Sequence, residues 1–177
     1  MDISRMRHSA AHVMAAAVCR VFDDVKLDIG PATDDGFYYD FDLPRRLTPD
    51  DFEAIEAEMG NIVKEAHPFE CFEATREDAR KMLEEMGQPY KIERLADIPE
   101  GETITFYRCG EFVDLCRGPH VDSTKDVRAF KLTSVAGSYF RGIETNPMLQ
   151  RLYGIAALTE KEIRQALQRL EEAQKRD

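Results

Sequence analysis

The 177-residue sequence has no tryptophan, four cysteines, and no uninterrupted apolar run of the ~18–20 residues that a membrane-spanning helix requires. The first lack excludes folds that lean on a buried indole. Cys19, Cys71, Cys109 and Cys116 are too few and too scattered for a disulfide scaffold, so reduced thiols in a cytoplasmic setting are expected. A basic surplus is also missing. There are 24 Lys and Arg against 34 Asp and Glu, a net charge of −10, which argues against a classical nucleic-acid binder. The apolar stretch after the basic N-terminus is interrupted by His8 and His12 and followed by Arg20, a poor secretory signal.

What is present is a hydrophobic content of 43% beside 33% charged residues, enough apolar material for one globular core. The negative charge is concentrated between residues 23 and 106, which hold nine basic and 23 acidic side chains; residues 107–151 hold seven and five. The acidic middle reads as a solvated surface. The alternative is that Arg117, Arg128, Lys131, Arg141 and Arg151 gather to meet a polyanion.

Periodicity predicts a helix over 5–22 capped by Ser4, and a hairpin over 25–43 with an Asp35-Gly36 turn. Thr48 and Pro49 start a second helix, with Phe52, Ile55, Met59 and Ile62 on one face, ended by Pro68. A strand over 69–73 and a helix from Thr75 to about Met86, stopped by Gly87, come next. Residues 103–108 and 111–115 form a hairpin bent at Cys109-Gly110. Strands over 128–137 and 149–157 precede a last helix begun by the Thr159/Glu162 capping box. Strands and helices mix without βαβ alternation, so the expected class is α+β, largely antiparallel sheet flanked by helices.

Two five-residue frames carry the chemistry. HSAAH places His8 and His12 at i and i+4, one turn apart on one helix face. CRGPH sets Cys116 and His120 in a Gly-Pro loop after an apolar strand. Each frame alone is weak. Together they supply either a complete tetrahedral zinc set or a metal-free hydrolytic pocket, with coincidence the third reading. His67, beside Pro68, belongs to neither and reads as a helix-end histidine.

The ordered segments RHSAAH, IGPATDDGFYYDFD, VDLCRGPH, VAGSYFRG and MLQRLYGIA resemble the editing domain of bacterial-type threonyl-tRNA synthetases over essentially the whole chain. The resemblance implies an editing domain over 1–158, with 159–177 as a helix leading toward an aminoacylation domain. It implies a hydrolase that removes serine from mischarged tRNA(Thr), whether as part of a synthetase or as a free-standing form, with the isolated domain expected to be a monomer. A site built around threonine rejects serine by only about 1–3 kcal/mol, so a second sieve is needed.

By the same resemblance, His8, His12, Cys116 and His120 line the pocket. Lys91, Asp114, Tyr39 and Tyr107 match site positions, and Gly30 matches a close backbone approach to substrate. His8, then His12, is the expected proton acceptor. Lys91 serves as donor to the carbonyl oxygen or the 3′ ribose, and Asp114 holds the seryl ammonium. Tyr39 and Tyr107 form walls, and Arg141 contacts phosphate. Cys116 is read as a binding or water-positioning group rather than a thioester nucleophile. No cofactor is expected. Zinc on His8, His12, Cys116 and His120, as in alanyl-type editing domains, is one alternative; a non-catalytic module that binds the tRNA acceptor arm is the other.

Overall fold

A computed structural model of the protein describes residues 1–176. The elements run α1 (Ile3–Val21), β1 (Lys26–Leu27), β2 (Gly36–Asp42), α2 (Phe52–Glu65), β3 (Glu70–Ala74), α3 (Arg76–Glu85), α4 (Pro89–Asp97), β4 (Ile104–Cys109), β5 (Phe112–Leu115), β6 (Ala129–Tyr139), β7 (Met148–Ala157) and α5 (Glu160–Lys175). The class is α+β, and the strands fall into two antiparallel sheets, ordered β1-β2-β7-β6 and β3-β4-β5.

Helix α1 is the central element. Its middle is a run of small and medium residues, Ala10, Ala11, Val13, Met14 and Ala15, all wholly buried. Small side chains let the helix lie close to both the four-stranded sheet and α2, so it is buried on nearly every side. Phe37, Tyr39 and Phe41 of β2 and Ile55, Met59 and Ile62 of α2 complete this core. A second cluster joins Ala79 and Leu83 of α3 and Leu95 of α4 to Ile104, Phe106 and Leu115 of the smaller sheet. Strand alternation turns the other face of that sheet toward α1: Tyr107 pairs with Asp114 across β4 and β5, so both leave the sheet on the same side. Helix α5 packs on the larger sheet through Ile163, against Ala129, Ile155 and Ala157.

Several local expectations need correction. Asp2, not Ser4, caps α1: its carboxylate accepts from the Arg5 N–H at 3.2 Å, while Ser4 lies inside the first turn. The connection from β1 to β2 is longer than a two-residue hairpin; its tight bend is closed where the Thr33 N–H donates to the Gly36 carbonyl. Helix α2 stops two residues before Pro68, at Ala66 in the left-handed region. Helix α4 had no counterpart in the periodicity reading. Its signal was Pro89 at the first helical position, with Tyr90, Lys91 and Leu95 as the buried face. One of these is a lysine, which blurs the apolar stripe.

The five basic residues do not form a free polyanion patch. Arg117, Lys131, Arg141 and Arg151 each pair with a different carboxylate: Glu102, Glu56, Asp97 and Asp40 respectively. Arg128 is exposed.

Candidate active site

A cavity of about 320 Å³ opens between the first half of α1, the Ile29–Pro31 segment, β2, α4 and the end of β5. Seven of the candidate pocket residues line it, His8, His12, Gly30, Tyr39, Lys91, Asp114 and Cys116, together with Arg117. Ile29, Pro31 and Leu115 add apolar wall. A larger concavity, about 700 Å³, lies elsewhere between Leu47–Pro49 and the ends of β6 and β7, and no histidine, cysteine, lysine or carboxylate lines it. The ionisable and nucleophilic side chains therefore gather at the smaller cavity.

Helical spacing puts His8 and His12 on the same face of α1, as expected, and the CRGPH loop folds back over the first turns of that helix. The His8 Nδ1 lies 3.1 Å from the Pro119 carbonyl. A carbonyl only accepts, so in neutral His8 the proton sits on Nδ1 and Nε2 carries a lone pair. That Nε2 lies 3.5 Å from Cys116 Sγ, and His120 Nε2 lies 3.4 Å from the same sulfur. The rings of His8 and His120 stack at 4.3 Å, and His12 meets His120 edge-on at 4.8 Å. His120 itself sits behind the cavity wall, sandwiched between His8 and the Phe69 ring, which stacks on it at 4.8 Å, while Tyr107 meets it edge-on at 4.6 Å.

Lys91 and Asp114 are a buried ion pair, 5% and 4% exposed, with Nζ 3.0 Å from Oδ1. Neither side chain is turned to solvent. The Tyr39 hydroxyl donates to Asp114 Oδ2 at 2.7 Å, and Lys91 Nζ donates to the Leu115 carbonyl at 3.1 Å. The contact at Oδ1 has ion-pair distance without hydrogen-bond alignment. Asp114 Oδ1 and His12 Nε2 are thus the two buried side-chain polar atoms, among the described residues, that lack a hydrogen-bond partner.

Burial sets the titration of the cluster. It lowers the His8 pKa below 6.5, against the opposing pull of the Pro119 carbonyl. It lowers His12 to about 4, and it drives His120 far down, assisted by the two neighbouring imidazoles. All three are neutral at pH 7. Desolvation, reinforced by the Asp114 charge, raises the Cys116 thiol to about 11, although the Gly118 N–H donates to its sulfur at 3.3 Å. A protonated thiol fits a binding or water-positioning role and not a nucleophile.

Gly30 has a reason of its own. A Cβ there would stand 2.1 Å from Tyr39 Cδ2, so the glycine lets the Tyr39 ring lie against the backbone and reach Asp114. The same holds at Gly118, where a Cβ would meet the Tyr107 hydroxyl at 2.3 Å in a backbone with φ of +72°. Tyr107 braces that loop and His120 from behind rather than lining the cavity.

Arg141 is not at the site. Its guanidinium is held 2.8 Å from Asp97 and donates to the Glu93 carbonyl on α4. Asp28, fully inside the fold, turns to Arg94 of α4, which donates to both its oxygens at 2.7 and 2.9 Å. With Gln88 accepting from the Leu27 N–H at 2.7 Å, these contacts dock α4 and so place Lys91. Ser9, missed in the sequence reading although it sits inside HSAAH, is fully buried with its Oγ 3.0 Å from His120 Nδ1.

The four-residue zinc set is only partly assembled. Ligand atoms of His8, Cys116 and His120 lie within 4.8 Å of one another, and the nitrogens of His12 are not in that group.

Residues 104–153 match the family described as the threonyl and alanyl tRNA synthetase second additional domain. Over 172 residues, 97% of its length, the chain is 56% identical to a threonine–tRNA ligase of Oleidesulfovibrio alaskensis; over 176 residues, 99%, it is 55% identical to one from Dehalococcoides mccartyi. A threonine–tRNA ligase of Acetivibrio thermocellus is 52% identical over 171 residues. The chain spans 27–30% of the length of these relatives. Motif order, antiparallel α+β architecture and identity across the whole chain agree: the chain is similar to one segment of threonine–tRNA ligases, and its residues 104–153 match the threonyl and alanyl tRNA synthetase second additional domain.

Proposed function

We infer that the cavity hydrolyses the ester of serine wrongly joined to tRNA(Thr), releasing serine from the tRNA 3′ end as the editing step of a threonyl-tRNA synthetase. One observation carries the reading. The two buried side-chain polar atoms without a hydrogen-bond partner among the described residues, His12 Nε2 and Asp114 Oδ1, belong to residues lining the same cavity. A buried polar atom without a partner costs roughly 1–3 kcal/mol. Two such atoms on residues that line one cavity are accounted for if a polar ligand or water completes them.

In this reading Asp114 Oδ1 accepts from the seryl ammonium, and Lys91 Nζ stands where it can donate to the ester carbonyl oxygen or the ribose. A water held near His8 attacks the carbonyl carbon while His8 Nε2 takes its proton. The tetrahedral intermediate then expels the 3′ oxygen of the ribose, which recovers that proton from the imidazolium. The ester needs no metal for this sequence. The serine preference and the tRNA partner come from the likeness to threonine–tRNA ligases. The test compares release of serine from Ser-tRNA(Thr) with release of threonine from Thr-tRNA(Thr). Preferential serine release that His8→Ala abolishes supports the reading; equal rates, or a rate unchanged in His8→Ala, refute it.

A zinc-assisted hydrolase is the second reading, favoured by the grouping of His8, Cys116 and His120. Elemental analysis of untagged protein after dialysis separates the two.

A further inference from the structure

The hydrogen-bond wiring behind the cavity has a direction. Ser9 Oγ accepts from the Val121 N–H at 2.9 Å and has one other partner, His120 Nδ1, at 3.0 Å. Ser9 is completely buried, so its own hydroxyl hydrogen has nowhere else to go. It donates to His120 Nδ1, which must then carry the lone pair. The proton of neutral His120 is left on Nε2, where it points at Cys116 Sγ 3.4 Å away. The Gly118 N–H approaches the same sulfur at 3.3 Å. With two donors aimed at it, the sulfur turns its own hydrogen toward the third neighbour, His8 Nε2, at 3.5 Å. The chain ends where the His8 Nδ1–H donates to the Pro119 carbonyl.

We propose that Ser9 is a positioning residue that fixes His120 as its Nε2–H tautomer, so that His120 serves the site as a donor to Cys116 and His8 supplies the basic nitrogen beside the sulfur. The two stacked imidazoles thus hold opposite tautomers and opposite tasks, although they lie at matching distances from one thiol. The reason lies in the different groups on their far nitrogens: a hydroxyl that donates behind His120, and a carbonyl that accepts behind His8. The same wiring bears on the zinc reading. A metal on His120 Nε2 requires a lone pair there and a proton on Nδ1, the reverse of what the Ser9 hydroxyl imposes.

The tautomer assignment stands independently of the deacylase reading; only the roles of the two histidines in hydrolysis rest on it. The decisive experiment is a nitrogen NMR spectrum of the metal-free protein labelled with ¹⁵N-histidine at neutral pH, with His120 signals assigned by their loss in His120→Gln. The expected result is a pyrrole-type Nε2 and a pyridine-type Nδ1 for His120, and the reverse for His8. A protonated Nδ1 on His120 overturns the proposal, and so does the same tautomer on both rings. Ser9→Ala supplies the second arm: the single His120 tautomer gives way to a mixture, and an unchanged His120 spectrum in that variant also overturns it. The wild-type spectrum decides the matter even if the variant does not fold. A protein with the expected tautomers that releases no serine keeps this proposal and loses the functional reading.

Discussion

Replacing Lys91 by methionine isolates the energetics of the cavity floor. Methionine keeps most of the side-chain volume and removes the charge, leaving the Asp114 carboxylate 4% exposed with the Tyr39 hydroxyl as its one directed donor. At 3.0 Å the pair attracts by roughly 5 kcal/mol at an effective dielectric of about 20. The desolvation that both ions already suffer offsets much of this, but stranding one partner of a buried pair costs about 3–5 kcal/mol. For a chain of this size each kcal/mol lowers Tm by about 2–4 °C, so Lys91→Met is expected to melt about 6–20 °C lower. Asp114→Asn strands the ammonium instead and falls in the same range. The double variant leaves no unpaired charge, and asparagine still accepts from Tyr39, so it should recover about 2 kcal/mol or more over the sum of the singles. Urea unfolding of the four proteins gives the coupling. Additive effects, or a Lys91→Met cost below about 1 kcal/mol, would refute a tight buried pair. A deacylation assay on the same proteins adds a distinction: under the proposed function the double variant regains stability and stays inactive, because the proposed donor to the ester and the proposed acceptor for the ammonium are both gone.

Other outcomes follow from the same geometry. His12 has a folded pKa of about 4 against 6.5 when free, so the unfolded chain binds its proton first as pH falls. Stability from this group is complete above about pH 6.5 and declines toward pH 4 by about 3 kcal/mol, visible as a falling urea midpoint that His12→Asn flattens. Gly30→Ala forces the Tyr39 ring away from a Cβ 2.1 Å distant; a loss of about 1–3 kcal/mol and of most deacylation is expected, checked by thermal melts and serine release. Cys116, with its thiol raised to about 11, should react slowly with iodoacetamide at pH 7.5, and Cys116→Ser should keep deacylation within about tenfold of wild type; a loss of several orders of magnitude would restore the thioester route. Arg141→Ala should leave deacylation unchanged, since its guanidinium is occupied by Asp97 and Glu93.

Much of the molecule could be read along the chain because the signals were local. The 3.6-residue spacing of Phe52, Ile55, Met59 and Ile62 places them together in the core. Thr75 and Thr159 do cap α3 and α5, and Gly110 at φ of +61° bends the β4–β5 hairpin as its position implied. Helix α4 was not legible. Its buried face holds a lysine whose burial makes sense only beside Asp114, a residue 23 positions further on.

The sequence by itself determined which side chains share a face: His8 with His12 by helical pitch, Tyr39 opposite Tyr38 by strand alternation, Cys116 with His120 by a short loop. These are properties of neighbours, fixed by backbone geometry within a few residues. Only the tertiary structure decided which faces meet. Ser9 against His120 and Lys91 against Asp114 are contacts across 111 and 23 positions of chain, and no local period encodes them. It also decided that Arg141 is held on α4 and that His12 lies outside the thiol-centred group. Burial and hydrogen-bond partners, which set charge state and tautomer, exist only after the two sheets have closed on α1.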